Sequence, residues 1–279
     1  MLRKIALLGC ILAMGWSIHA QKVSVMGVSE QRASENSYFG SSCEVKLLVE
    51  GIDTKTFKLV KIAKISKAED DLGTNLINEE ESSEFEYKEI YEEAELGLKL
   101  SVAPRKATKI SELSGDLAFF GPTEANGGIL KVANYQSQVN KNLVPDKHGL
   151  IVMYLTRASL KQFADANKQL KEADLNKMSE KQRLITETLL DAARSTYDFG
   201  DDENQAMFIV EGDYEKFVDL YFEDAGGTKI DRNGYMKVGS FYTYYYEQPP
   251  AKEWKLVVNM ETPASIKKVP FSLKDIVLP

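Results

Sequence analysis

A short acidic turn occurs twice in this chain, as Glu69-Asp70-Asp71-Leu72-Gly73-Thr74 and as Glu223-Asp224-Ala225-Gly226-Gly227-Thr228. Hard cations are held by several carboxylate and carbonyl oxygens gathered on one loop, so Asp70, Asp71 and Asp224 are candidate ligands for calcium. The same residues suit an ordinary strand-to-strand turn, in which glycine supplies the positive φ that closes the bend. An EF-hand requires acidic or amide residues at alternating positions and a glutamate at the twelfth. Neither copy, nor Asp231-Arg232-Asn233-Gly234, has that spacing. Asn233-Gly234 instead signals a tight hairpin between Thr228-Lys229-Ile230 and the strand that follows.

A second candidate is the run Phe241-Tyr242-Thr243-Tyr244-Tyr245-Tyr246. On a strand Tyr242, Tyr244 and Tyr246 share one face, and Phe241 and Tyr245 share the other. Exposed, such a row could stack on sugar rings or anchor a protein partner, with Trp254 next in line, because each ring offers flat apolar area and a polar tip. The structural alternative packs one face into a sandwich core and the other against helices.

The inventory for catalysis is thin, and no catalytic residue is assigned. Past residue 20 the only histidine is His148, within Pro145-Asp146-Lys147-His148-Gly149. A multi-histidine zinc site is therefore excluded, and a serine or cysteine nucleophile would have to use that histidine. No G-x-S-x-G elbow, Walker loop, H-E-x-x-H or G-x-G-x-x-G accompanies it. A hydrolase built on His148 or on a carboxylate pair is thus one alternative reading. A calcium-stabilised glycan-binding module is another.

The elements that would position these residues repeat along the chain. Val49-Glu50-Gly51 and Val210-Glu211-Gly212 each precede an acidic turn, and Pro104/Ala107/Ile110 and Pro263/Ile266/Val269 follow in the same order. Repetition at this long spacing reads as a duplicated module rather than a solenoid. Many short β-branched and aromatic runs, punctuated by glycine, proline and polar turns, predict a mainly β chain of sandwich type. The period changes over Ser159–Leu170 and Ser179–Tyr197, where apolar residues fall at helical spacing and Ser179 with Gln182 forms a capping box. The expected organisation is a signal peptide over 1–20, a β-sandwich over 21–156, a helical insertion over 157–200 and a second β-sandwich over 201–279. Glu79 to Glu95, with nine glutamates and Lys88, reads as a solvated face.

Leu98-Lys99-Leu100, Pro104-Arg105, Ala107, Ile110, Leu113-x-Gly115-x-Leu117 and the ending Val269-Pro270-Phe271-Ser272-Leu273-Lys274-Asp275-Ile276-Val277-Leu278-Pro279 resemble uncharacterised secreted bacterial proteins. Those carry a related first segment and a V-P-F-x-L-x-D-I-P-L-P tail; here Val277 replaces the proline. The resemblance spans about half of the chain and implies two immunoglobulin-like β modules. It brings no catalytic residue and no ligand.

Arg3 and Lys4, the apolar Ile5–Trp16 and Ile18-His19-Ala20 have the order of a signal peptide cleaved before Gln21. Leu7-Leu8-Gly9-Cys10 offers a lipobox, but the apolar run before it is short, which disfavours lipid anchoring through Cys10. Export to the periplasm or outside of a Gram-negative envelope is expected, with no transmembrane segment in the mature chain. Cleavage removes two basic residues and takes the formal charge from −7 to −9, which disfavours nucleic acid and anionic membrane as partners. Cys43 then stands alone, and its strand-like surroundings suggest a buried core thiol. The expected function is a non-catalytic secreted or periplasmic protein whose tandem modules bind an envelope protein or glycan or serve a structural role there.

Overall fold

The computed structural model describes residues 21–33, 40–78, 85–145, 148–195 and 203–279. The expected signal peptide with Cys10, the acidic residues 79–84, Asp146, Lys147 and loop residues 200–202 lie outside them. The chain is mainly β. It clusters into two compact units, one of residues up to Leu117 together with Pro270–Pro279, the other Ala118–Val269.

The first unit contains β1 (Lys22–Gln31), β2 (Ser42–Glu50), β3 (Leu59–Asp70), β4 (Lys88–Glu89), β5 (Ala94–Leu100) and most of β6 (Lys109–Phe120). The last strand of the chain, which starts at Ile266 and ends at Val277, lies mostly in this unit too. One sheet has the order β1-β2-β5; in the other, the final strand neighbours β6, then β3, then β4. Period-two patterning explains the burial. In β5, Ala94, Leu96, Leu98 and Leu100 are buried while Glu95, Gly97 and Lys99 face water, and β2 buries Cys43, Val45, Leu47 and Val49 in the same way. Val60, Ile62, Ile65, Ile110, Leu113 and Leu117 fill the core from β3 and β6. Gly115 in Leu113-x-Gly115-x-Leu117 has a steric reason: a Cβ there would lie 2.2 Å from the backbone oxygen of Lys64 on β3.

The second unit contains β7 (Ile129–Val132), β8 (Leu150–Leu155), α1 (Arg157–Ala166), α2 (Glu172–Leu175), α3 (Glu180–Ser195), β9 (Gln205–Gly212) and β10 (Phe217–Glu223). It continues with β11 (Lys229–Ile230), β12 (Gly234–Val238), β13 (Phe241–Tyr245) and β14 (Lys255–Met260), after which β15 (Ile266–Val277) begins. Its sheets have the orders β11-β10-β14-β7 and β12-β13-β9-β8. Between them lies a core rich in aromatics, including Tyr135, Tyr154, Phe208, Phe222 and Trp254. The opposite face of β8, β9 and β13 carries Ile151, Met153, Leu155, Met207, Ile209 and Phe241, which pack against Leu160, Leu189, Ala192 and Ala193 of α1 and α3. Burial on both faces is why β8 reads Leu-Ile-Val-Met-Tyr-Leu without a polar position.

Helix boundaries follow their caps. Thr156 caps α1 in a reciprocal box with Ser159, so the helix begins at Arg157, two residues ahead of the expected Ser159. Ser179 and Gln182 bond reciprocally at the start of α3, as their spacing predicts.

Three expectations differ from the structure. The units do not coincide with 21–156, 157–200 and 201–279: the second is a continuous stretch, and both of its boundaries fall inside strands, β6 and β15. The helices do not join two modules, since β8 and β9 on either side of them pair with each other in one sheet of the second unit. Nor does Asn233-Gly234 close a hairpin, because β11 pairs with β10 and β12 pairs with β13. In each case the partner of a strand is chosen by which face it must bury, which proximity along the chain does not report.

Candidate functional site

The two acidic turns are built alike. Asp70 N donates to Thr74 O at 3.1 Å, Gly73 N to Asp70 O at 3.2 Å and Thr74 N to Asp70 Oδ1 at 2.8 Å. In the second copy Asp224 N donates to Thr228 O at 2.9 Å, Gly227 N to Asp224 O at 3.1 Å and Thr228 N to Asp224 Oδ1 at 2.8 Å. Gly73 and Gly227 take φ values of 82° and 85°, the left-handed conformation that closes the turn. Asp71 is engaged elsewhere: it accepts from the backbone and the hydroxyl of Thr108, which holds its carboxyl below the usual carboxylate range. Among the described residues no group of three or more His, Cys, Asp or Glu side chains is arranged to hold a metal ion. The hydrogen bonds make Asp70 and Asp224, both candidate calcium ligands, caps of their turns, and tie Asp71 to Thr108 just before β6.

His148 donates its backbone N–H to Pro145 O at 3.1 Å, and its carbonyl accepts from Lys216 Nζ at 3.2 Å. Cys43 lies in the core of the first unit, where burial pushes its thiol up to about 11 and so disfavours the reactive thiolate.

Tyr242, Tyr244, Tyr246 and Trp254 are all buried in the core of the second unit. Tyr246 meets Trp254 edge-on at 5.7 Å between ring centroids, and Phe222 lies 5.6 Å from each. Burial raises the hydroxyls of all three tyrosines above their ordinary value. Phe241, on the other face, meets the helical layer. Of the two readings of this row, ligand stacking and core packing, the structure has the second, because β13 is an inner strand covered on both sides.

That face becomes accessible at the edge of its sheet. In the β12–β13 hairpin Tyr235 pairs with Tyr244 and Lys237 with Tyr242, so Tyr235 and Lys237 extend the tyrosine row onto an edge strand. Tyr235 is 59% exposed and Tyr214, in the short 3₁₀ turn before β10, is 40% exposed. The guanidinium carbon of Arg232 sits 5.2 Å from the Tyr235 ring and 4.8 Å from that of Tyr244. Lys237 Nζ lies 4.9 Å from the Tyr214 ring and 5.7 Å from Tyr242, and the hydroxyls of those two tyrosines hydrogen-bond. These cation–π contacts fix both the rings and the cations.

Asp219 completes the edge. It follows a register shift between Phe217 and Asp219 in β10, a bulge of the kind that re-aims a side chain. Arg232 Nη1 lies 3.4 Å from Asp219 Oδ1 and Lys229 Nζ 3.9 Å from Oδ2, while Lys229 also covers the Tyr221 ring at 4.7 Å. Burial among the tyrosines raises the Asp219 carboxyl above the ordinary carboxylate value, and the nearby Arg232 and Lys229 charges oppose that shift. A half-buried carboxylate, a guanidinium and two open aromatic rings on one edge can hold a ligand with both flat apolar faces and hydrogen-bonding groups.

Sequence reading did not single out Tyr214, Asp219, Arg232, Tyr235 or Lys237. One signal was present: Gly239-Ser240 is a two-residue hairpin loop, and reading it as such pairs Val238 with Phe241 and hence Tyr235 with Tyr244. The stacking of Arg232 has no comparable signature. Comparison of the chain with family models, with curated proteins and with solved structures gives no match.

Proposed function

We propose that this is an exported, non-catalytic protein of tandem immunoglobulin-like β modules that binds a protein or glycan of the cell envelope. The edge around Tyr214, Arg232 and Tyr235 is its binding surface. The observation that carries the reading is this edge, where large aromatic area stays open to solvent beside charged groups held in place by packing. The immunoglobulin-like description draws support from the first unit. There the first, second and fifth strands share one sheet and the third, sixth and final strands share the other, as in immunoglobulin sandwiches. Export rests on the basic, apolar and small-residue order of residues 1–20. The resemblance to secreted bacterial proteins agrees with both.

The test is affinity capture from envelope extract by the chain and by a Tyr235→Ala/Arg232→Ala variant. A protein or glycan retained by the parent and lost by the variant is expected. Identical recovery by both, or no recovery by either, overturns the assignment of the edge.

A further inference from the structure

The chemistry of the edge narrows its ligand. Tyr235 and Tyr214 are exposed rings stiffened from behind: Arg232 lies between Tyr235 and Tyr244, and the Tyr214 hydroxyl is tied to that of Tyr242. A rigid flat ring at a rim suits a partner with a flat C–H face, since little side-chain entropy is lost on contact.

The polar groups beside the rings are planar and only loosely satisfied by each other. Arg232 has five N–H donors in a fixed fork, and one reaches Asp219 at 3.4 Å, longer than a strong charge-assisted bond. Asp219 offers two acceptor oxygens, whose nearest cations stand 3.4 and 3.9 Å away. Side-chain exposures of 36% for Arg232 and 27% for Asp219 leave both within reach of solvent. A carboxylate and a guanidinium side by side present paired acceptors and paired donors, which complement adjacent hydroxyl groups that each donate and accept.

Charge excludes the polyanionic alternatives. Across these segments Lys216, Lys229, Arg232 and Lys237 are balanced by Asp213, Glu215, Asp219 and Asp231. Asp213 is paired with Lys216, and the charge of Asp219 is offset by Arg232 and Lys229 nearby. The chain as a whole is negative, at −7. A polyanion meets no basic footprint here. A neutral ligand loses nothing.

We infer that the Tyr235–Arg232–Asp219 edge of the second unit binds a neutral saccharide. A sugar ring stacks on Tyr235, and its vicinal hydroxyls bridge Asp219 and Arg232. This rests on the edge being the binding surface, and it names the ligand class.

The experiment is titration calorimetry of the chain with cellohexaose, laminarihexaose and mannohexaose, and with hexagalacturonate as the anionic control. Saturable binding of at least one neutral hexaose is expected. Affinity should fall about tenfold or more in Tyr235→Ala, as removal of one stacked ring implies. It should fall similarly in Asp219→Asn and remain near the parent value in Tyr235→Phe. Tyr235 is exposed, so its variants should keep the parent melting temperature, which separates lost contact from lost fold. Binding of hexagalacturonate alone, binding unchanged in Tyr235→Ala, or no binding of any neutral hexaose overturns the inference. In the last case, an envelope protein captured through the edge would leave the broader assignment standing while the saccharide falls.

Discussion

Strand β5 in the first unit buries every second residue, whereas β8 in the second buries all six. Each unit contributes strands to two sheets, and in the second a core of residues from both sheets is shared. In the second unit, α1 and α3 add a layer on the outer face of β8, β9 and β13, so these strands have no wet side. The consequence for function lies at β12, the edge strand of that sheet, where residues sharing the core face of the tyrosines reach solvent. A sheet covered on both faces can display an aromatic row only at its edge. The units also differ in how the chain supplies them: the second is continuous, and the first takes its closing strand from the far end of the sequence.

The largest expected effect tests that difference in supply. Removing Pro270–Pro279 takes the greater part of β15 from the first unit, including the buried Phe271 and Ile276. Each buried side chain of this kind is worth about 1.5–3 kcal/mol, and an unpaired edge on β6 adds to the loss, against a typical domain stability of about 5–15 kcal/mol. Hydrogen exchange should show protection lost across 42–117 and kept across 129–260. Uniform loss, or none, would refute the division into two units.

Next in size is Trp254→Ala in the aromatic core of the second unit, with an expected cost of about 3–5 kcal/mol in denaturant unfolding. An exposed aromatic row, the alternative to core packing, would tolerate this change with under about 0.5 kcal/mol.

The paired turns allow a finer comparison, because their hydrogen bonds match and their surroundings do not. Asp70 is 1% exposed and also accepts from Leu72 N at 2.9 Å, whereas Asp224 is partly open to water. Asp70→Ala should cost about 2 kcal/mol, because the buried carboxylate is the acceptor of the part-buried N–H groups of Leu72 and Thr74, and Asp224→Ala below about 1 kcal/mol, because water can replace it. The Asp70 Oδ2 atom is buried without a hydrogen bond, which offsets part of the first figure. Equal costs would mean that burial is not what separates the two turns. Chelator should leave the melting temperature unchanged, since a cation bound only to the folded state would raise it.

The smallest effect concerns Asp219, whose carboxyl is raised in the folded state, first by burial. Between its unfolded value and its raised folded value the native protein binds more protons than the unfolded chain. Stability linked to this group therefore falls as pH rises through that window. Asp219→Asn lacks the group, so its stability relative to the parent should improve from pH 3.5 to pH 7. A gap that stays flat with pH would show that the Arg232 and Lys229 charges balance burial, and one that moves the other way that they outweigh it.

Local chemistry was legible along the chain. The strand around Cys43, the Ser179–Gln182 cap and the Gly-Thr turns follow from interactions within a few residues, which is why their positions could be read directly. The mainly β class follows from the same patterning. The site was legible only as a composition: the tyrosines of β13 stood out, but their face did not. Whether a strand face is core or surface depends on what else the fold lays over it.

By itself the sequence determined periodicity, caps, turns and the lack of any recognisable catalytic motif, because each is set by residues adjacent in the chain. Tertiary structure decided that β15 completes the first unit, that the helices belong to the second, and that Tyr235 rather than Tyr244 meets solvent. Those outcomes depend on pairing between residues far apart in sequence, where burial of whole faces outweighs local preference.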